Sequence, residues 1–170
     1  MNPWYFLLLG ILVIALAIAV PRLRLRRALN APFPDEWVPL LEQNIGVYPR
    51  LPMALRKQLR QRIKRFLHTK HFSGAGGLEI DDEIRVTIAA QACMLWLSRK
   101  GTPYPGLRYI IVYPAAFVVS RKEAGEGGVV SEARRGLLGE SWSSGKVILA
   151  WDDVVKGARN FVDGSNVVLH

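Results

Sequence analysis

The sequence predicts an α+β domain that follows a single N-terminal transmembrane helix. Residues 4–20 carry no charged side chain and consist mostly of Leu, Ile, Val and Ala. Two stretches with apolar residues at helical spacing come next, at residues 52–67 and 81–97. After Gly101 the chain changes to short β-branched or apolar runs separated by Gly, Pro and Ser. That pattern is typical of a small sheet with antiparallel or mixed pairing.

Composition limits the class of protein. The chain has 170 residues, half of them apolar, and a formal net charge of +9. The apolar fraction excludes a disordered chain, and the length that follows the N-terminal segment suits one domain. The single cysteine, Cys93, excludes a disulfide framework and a thiolate zinc site. It is consistent with a reducing compartment.

The N-terminal segment has the features of a membrane anchor. As a helix, residues 4–20 extend roughly 25 Å, just enough to span a bilayer together with the first three residues. Trp4 and Tyr5 stand where an interfacial aromatic belt is expected, and four arginines between residues 22 and 27 mark the cytoplasmic flank. We therefore expect a single-pass anchor in the inner (cytoplasmic) membrane, with the body on the cytoplasmic side. A cleaved signal peptide is the alternative, since residues 17–19 resemble a cleavage site, but the order of the charges favours the anchor.

Three segments are expected: an anchor at residues 1–21, a basic juxtamembrane segment and Pro-rich linker at residues 22–36, and a domain at residues 37–170. Residues 43–78 add a charge of +8 with no Asp or Glu, mostly within the predicted helix at residues 52–67. A core-packing helix with a solvated basic face is the favoured interpretation. Binding of anionic lipid comes second and binding of nucleic acid third, because the stretch has few aromatic rings that could stack on bases.

Several chemically capable residues receive a structural interpretation. His68 and His71 are spaced as a metal pair, but no acidic or thiol partner lies nearby, so we expect exposed residues at the end of a helix. The glycine-rich stretch at residues 74–77 predicts a break and not a phosphate loop. Cys93 is expected to be a small core residue of the second helix. Residues 81–83 place acidic side chains at the start of that helix, where they complement its dipole.

The second half of the chain predicts the sheet. Strands are expected at residues 108–113, 117–120, 136–140 and 146–151, with a turn or surface loop at residues 125–128. Asp152 and Asp153 follow the last of these strands. They could form a paired-carboxylate site, but capping of a short helix at residues 154–158 is favoured.

Five stretches of the sequence closely resemble the Mlc titration factor A family of zinc-dependent peptidases. They are residues 51–67, KHFSGAGGL at residues 70–78, YPAAFVV at residues 113–119, GESWSSGKVILAWDD at residues 139–153 and NVVLH at residues 166–170. The resemblance covers about residues 33–170, and its motifs occur in the same order. It implies a zincin-like fold, in which helices accompany a small mixed or antiparallel sheet.

The resemblance also implies a site for Zn²⁺. In the family, the segment that matches residues 166–170 continues as Glu-x-x-His, so His170 is implied to be the first zinc ligand. The general-base Glu is expected just after His170, and no catalytic residue is assigned within the chain. Two His at i and i+4 share a helix face and can hold one zinc ion. The Glu between them deprotonates the metal-bound water that attacks a peptide carbonyl.

The resemblance implies a place for the substrate as well. In the zincin-like fold the strand before the active-site helix lines the cleft and can pair with an extended peptide. The residues that match it are Lys146, Val147, Ile148, Leu149, Ala150 and Trp151. Since the sequence stops one turn into an apolar helix, we expect a chain that is cut at the start of the active-site helix. We expect it to be inactive alone, because one His cannot hold zinc.

Two functions follow from this resemblance. Family members are aminopeptidase-like hydrolases and also bind a transcriptional repressor, Mlc. The favoured expectation is a membrane-anchored zinc metallopeptidase that acts on peptides. The alternative is a non-enzymatic, membrane-tethered module that binds a repressor or an anionic surface through the basic helix at residues 52–67. Nucleic acid is a weak third candidate as a partner.

Overall fold

The structure is a mixed α+β arrangement, mostly helical, with a small mixed sheet. The computed structural model describes residues 3–99, 101–115, 118–124, 130–136, 140–142 and 145–159. Within them the helices are α1 (Pro3–Asn30), α2 (Trp37–Asn44), a 3-10 turn at Tyr48–Arg50, α3 (Met53–Thr69), α4 (Asp82–Met94) and α5 (Trp151–Arg159). The basic helix predicted at residues 52–67 is confirmed as α3.

The described strands form a four-stranded sheet and a separate hairpin. The strands are β1 (His71–Gly74), β2 (Tyr109–Tyr113), β3 (Val118–Ala124), β4 (Val130–Gly136), β5 (Glu140–Trp142) and β6 (Lys146–Ala150). The sheet has the order β1-β2-β6-β5, in which β1, β2 and β6 run parallel and β5 is an antiparallel edge strand. β3 and β4 pair antiparallel with each other. Mixed pairing, one of the two predicted possibilities, is confirmed.

Helix α4 connects the parallel strands β1 and β2, and it is the centre of the core. Parallel neighbours require a crossover connection, and α4 supplies it. It packs against α2, α3 and α5, and nine of its thirteen residues are buried. Ile110 and Val112 of β2 and Leu149 of β6 are buried in the same apolar cluster. The helices and the sheet therefore share one core.

Helix α1 is longer than the predicted anchor. It continues through Pro21 and ends at Asn30, where a linker was expected to start. Its C-terminal end packs against α3, and the buried Lys64 donates hydrogen bonds to the carbonyl oxygens of Leu29 (2.8 Å) and Ala31. Trp4–Asn30 is long and apolar enough to cross a membrane, and its most apolar stretch is wholly exposed. Length and composition are consistent with an anchor.

Three local predictions are corrected. His71 is the first residue of β1, because its backbone N–H bonds Arg108 O at 2.9 Å and draws the chain alongside β2. The second helix ends at Met94 rather than near residue 97, since a run of turns continues from its C-terminus. The ends of the strand predicted at residues 136–140 belong to two different strands, because Gly136 ends β4 and Glu140 begins β5, and the residues between them lie outside the described part of the chain. The turn predicted at residues 125–128 lies outside the described residues.

Candidate functional site

The carboxyl ends of β1, β2 and β6 meet at one edge of the sheet, where ligands commonly bind in parallel sheets. The loop after β1 is tied to β2, since Ala75 N donates to Val112 O at 2.9 Å. The end of β6 is tied to the residue after β2, since Asp152 N donates to Pro114 O at 3.3 Å. Three connecting segments are thereby held side by side at this edge.

The loop at residues 74–77 depends on glycine. A Cβ atom at Gly74 would lie 1.8 Å from the carbonyl oxygen of Leu78, a distance that no side chain tolerates. Gly76 has φ +64°, and a Cβ there would lie 3.3 Å from both Tyr113 Cδ1 and Pro114 Cδ. The loop follows a strand, which the sequence did not predict. Its glycines allow a tight return toward α4 and close packing on the end of β2.

Asp152 and Asp153 lie in the first turn of α5, which begins at Trp151 and therefore earlier than the helix predicted at residues 154–158. The side chain of Asp152 accepts from Asp153 N at 2.8 Å, and both carboxylates lie within 4 Å of the Lys156 ammonium. Negative charge in the first turn stabilises a helix through its dipole. One oxygen of Asp153, Oδ2, is buried and has no hydrogen-bond partner among the described residues. The two carboxylates therefore stabilise the first turn of α5, and the structure does not assign a role to Asp153 Oδ2.

The predicted substrate strand is an internal strand of the sheet. Lys146, Val147 and Ile148 pair with β2 on one side and with β5 on the other. Leu149 and Ala150 pair with β2, and both are buried. Trp151 belongs to α5 and not to the strand, because the helix starts directly at the end of β6. Among the described strands, the edge on this side of the sheet is the short strand β5.

The basic helix α3 uses most of its cations within the protein. Its longest side chains reach oxygens of neighbouring segments: Arg56 to Leu51 O (2.8 Å), Arg60 to Tyr48 Oη (2.7 Å), Arg62 to Arg99 O (2.7 Å) and Lys64 to the end of α1. A guanidinium group also covers an aromatic ring, since that of Arg60 lies 5.4 Å from the Phe33 ring centre. This arrangement supports the core-packing interpretation of the helix. The solvated basic face is smaller than the sequence suggests.

Two buried lysines were missed by the sequence analysis. Lys64 and Lys70 are 8% and 6% exposed, and burial lowers the pKa of each ammonium. Lys70 donates to Tyr104 O and Leu107 O, both at 2.6 Å, and so holds the segment that enters β2. A signal for Lys64 existed in the sequence, because it lies three residues before the apolar Leu67 and therefore on the same helix face.

Cys93 is a core residue, as expected. It is wholly buried in α4, and this burial raises the pKa of its thiol to about 12, although the nearby charges of Arg62 and Lys70 act in the opposite direction. A nucleophilic cysteine needs a thiolate and therefore a lowered pKa. Cys93 is unsuited to that chemistry.

The described residues do not supply a metal site. None of their His, Cys, Asp and Glu side chains forms a group of three or more that could hold a metal ion. His68 lies on α3, whereas His71 lies on β1 and stacks on the ring of Tyr109 with the centres 5.5 Å apart. His170, the implied zinc ligand, lies outside the described residues. The described donors therefore do not fit a bound zinc ion by themselves.

Comparison with known proteins identifies a family, which the geometry of the described residues does not. The family model for the glucose-regulated metallo-peptidase M90 family matches residues 20–170. An uncharacterized protein from Synechocystis is 37% identical over 148 residues, which cover 86% of this chain and 54% of that protein. Proteins named Mlc titration factor A are 30% identical over 142 residues in Enterobacter and over 126 residues in Klebsiella pneumoniae.

Those two alignments cover 83% and 74% of this chain, and 53% and 47% of the relatives. The chain thus spans about half the length of the curated relatives that it matches. No solved structure matches it.

Proposed function

Because the chain belongs to the glucose-regulated metallo-peptidase M90 family, we propose that it provides part of a zinc-dependent peptidase of the aminopeptidase type. The observation that carries this proposal is the family match, which extends from residue 20 to residue 170. We assign His170 as one zinc ligand and expect the general-base Glu in the residue positions that follow it in family members. A zincin-like fold is part of the same proposal.

The sheet supports a refined position for a peptide substrate. Lys146, Val147 and Ile148 already have strand partners on both sides, whereas β5 is the edge strand among the described strands. An extended peptide adds to a sheet by pairing with an open strand edge. We propose that the peptide pairs along β5, and that β6 with Leu149, Ala150 and the adjoining Trp151 forms the wall behind it.

Membrane attachment is the second part of the proposal. The long apolar stretch of α1 is exposed, and Arg22, Arg24, Arg26 and Arg27 directly after it are exposed as well. Arginines on that side favour retention of the body in the cytoplasm. We propose a single-pass anchor in the inner membrane, with the domain on the cytoplasmic side.

Regulation is a second candidate function, favoured by the names of the relatives. Several are called Mlc titration factor A, which points to a link with a transcriptional repressor. In this version the protein is a membrane-tethered module that captures the repressor. The basic face of α3 is a weak docking surface for it, because Arg56, Arg60 and Arg62 already bind oxygens within the protein.

The first experiment is to sequence the source DNA through the codon for His170 and beyond. A frame that continues into Glu-x-x-His supports the peptidase, whereas a stop codon at that point supports the binding module. The protein encoded by the continued frame should hydrolyse peptides, lose activity to a zinc chelator and contain bound zinc. The 170-residue chain alone should hydrolyse none, because a single His cannot hold the metal.

A pair of histidine variants tests the assignment of the ligand. His170→Ala in the continued protein should lose both zinc and activity, because a catalytic zinc needs three protein ligands. His68→Ala is the matched control, since His68 is exposed at the end of α3, and it should keep both. Equal zinc content in the two variants would contradict the assignment. Repressor binding that responds to salt but not to chelation would favour the module.

A further inference from the structure

A cleft of about 260 Å³ lies where the end of α1, the segment after it and the helices α3 and α4 meet. Its walls combine apolar and basic side chains, and none of the lining residues is acidic. The apolar part includes Ala28, Pro32, Trp37 and Leu67, and the basic part consists of Lys64, His68 and Arg85. A second cleft of about 460 Å³ adjoins it and shares Leu67, His68 and Arg85.

Lys64 gives this cleft a positive charge that, among the described residues, no carboxylate offsets. Its side chain is 8% exposed, and two of its three N–H donors are directed at the carbonyl oxygens of Leu29 and Ala31. Among the described residues no carboxylate lies within 4 Å of this ammonium. A buried cation without an anionic partner is costly, so an anion supplied from outside is favoured at this place.

Arg85 adds a second cation at the wall of the same cleft. Its guanidinium pairs with Asp82 at 3.4 Å, and the other carboxylate oxygen of Asp82 accepts the indole N–H of Trp37 at 2.8 Å. Asp82 thus offsets Arg85 in part but does not reach Lys64. The cleft keeps a net positive charge.

The position of the cleft along α1 identifies the kind of anion. A hydrocarbon core about 30 Å thick takes about 20 residues of an upright helix, so a span made of residues 1–20 ends near Val20, just before the first arginine. Ala28 lies eight residues further along the same helix, about 12 Å beyond that boundary. The polar layer that holds the lipid phosphates therefore lies between this boundary and the cleft.

We propose that this cleft binds the phosphate group of an anionic phospholipid from the leaflet that faces the body of the protein. Lys64 and Arg85 contact the phosphate, and the apolar wall formed by Pro32, Trp37 and Leu67 contacts the glycerol and the first methylenes. The inference rests on the proposed membrane anchor and does not depend on the proposed peptidase activity.

The test uses the full 170-residue chain in nanodiscs of equimolar phosphatidylcholine and phosphatidylglycerol. Native mass spectrometry then identifies the lipids that stay on the protein after release. We expect phosphatidylglycerol to be retained about fivefold over phosphatidylcholine, the preference that one basic side chain near an anionic surface provides. Equal retention of the two lipids would overturn the inference.

Matched variants separate the cleft from general surface charge. Arg85→Gln and Lys57→Gln each remove one positive charge, but Lys57 is exposed on α3 and lines neither cleft. We expect Arg85→Gln to lose most of the preference and Lys57→Gln to keep it. Equal effects of the two variants would show diffuse attraction and overturn the proposal. Lys64→Met, in protein whose circular dichroism shows that α1 and α3 remain folded, should also lose most of the preference, and an unchanged preference would overturn the proposal.

Two further outcomes distinguish the sources of the anion and the role of the anchor. Inorganic phosphate in place of chloride, at equal ionic strength, should leave the retained phosphatidylglycerol unchanged. Displacement by phosphate would show a site for free phosphate and overturn the lipid assignment. Flotation with vesicles in alkaline carbonate tests the anchor separately. A chain that does not float contradicts both the anchor and this inference, whereas one that floats without a lipid preference contradicts this inference alone.

Discussion

Helices α3 and α4 pack against each other but bury their residues in different ways. α3 buries one face, with Leu59, Ile63, Phe66 and Leu67 in the core and Lys64 at the edge of that face. α4 is buried on almost all sides, because α2, α3, α5 and the sheet surround it. A helix that is apolar on one stripe lies at the surface of a core, and a helix that is apolar all round lies inside it.

The polar residues of the two helices differ accordingly. In α4, Thr87 and Gln91 are buried and bond to Asn44 and to Val154 O, so each ties the central helix to another helix. In α3 most of the polar residues are cations, of which Arg56, Arg62 and Lys64 bond to main-chain oxygens outside the helix. α4 therefore forms the centre of the apolar core, whereas the cations of α3 hold the segments that precede α3 and follow α4 in place.

The largest effect is expected from truncation in α4. Ile88 is 1% exposed, so Ile88→Ala should lower the free energy of unfolding by about 2–5 kcal/mol, through lost burial and the cavity that it leaves. Met53→Ala on α3 is the control, because Met53 is 77% exposed, and it should change stability by less than about 0.5 kcal/mol. Denaturant unfolding of the full chain in detergent micelles, followed by tryptophan fluorescence, measures both. Similar losses would contradict the difference between the helices.

A smaller effect is expected from a cation that follows α3. Lys70→Met keeps the apolar stem but removes the donor to Tyr104 O and Leu107 O, and should cost about 1–3 kcal/mol. Lys57→Met removes an equal charge from an exposed position and should have little effect. The same unfolding measurement applies. If the two variants were equally stable, the bonds from Lys70 would contribute nothing to the fold.

The start of α4 offers a test of about 1 kcal/mol. The side chain of Asp81 accepts from Ile84 N at 2.8 Å and caps the helix. Asp81→Ala should therefore cost about 1 kcal/mol, and Asp81→Asn should recover most of the loss because asparagine caps equally well. Equal loss in both variants would show that the charge, and not the hydrogen bond, stabilises this end.

The smallest effect at neutral pH is expected at Cys93. Its folded pKa of about 12 exceeds the ordinary value of 9.0, so the thiol contributes stability below pH 9 that is lost as the pH rises toward 12. The unfolding free energy of the protein should thus fall more steeply above pH 9 than that of Cys93→Ala. Burial also lowers the pKa of Lys64 and Lys70 and raises that of Tyr104, and both proteins keep these three groups. Parallel pH profiles would contradict a buried thiol.

The sequence predicted the parts of the fold that local spacing determines. The bounds of α3 and the acidic starts of α4 and α5 follow from residues within a few positions of one another. β1 was missed, because the four residues His71–Gly74 become a strand only by pairing with β2, more than thirty residues away. The parallel direction of β1, β2 and β6 is likewise a property of long-range pairing, which no single segment contains.

The candidate site was less predictable than the fold. Asp152 and Asp153 were expected at the start of a helix and lie in its first turn, but Gly76 gave no sign in the sequence that the end of β2 would pack against it. Lys64 and Lys70 belonged to a strongly basic stretch, where an exposed position is the usual expectation for lysine. His170 was assigned from the resemblance alone, because a terminal histidine has no spacing partner in the chain.

The hydrogen bonds from Lys64 to Leu29 O and Ala31 O, at the end of α1, have a mechanical consequence. Because α1 is one helix from Pro3 to Asn30 and its last turn is bound to α3, the body cannot rotate independently of the helix. A transmembrane segment responds to hydrophobic mismatch by changing its tilt. In a bilayer whose thickness changes, the helix would act as a lever that turns the domain toward or away from the lipid surface. Under the proposed membrane insertion, the thickness of the bilayer would then set which face of the domain lies against the lipid.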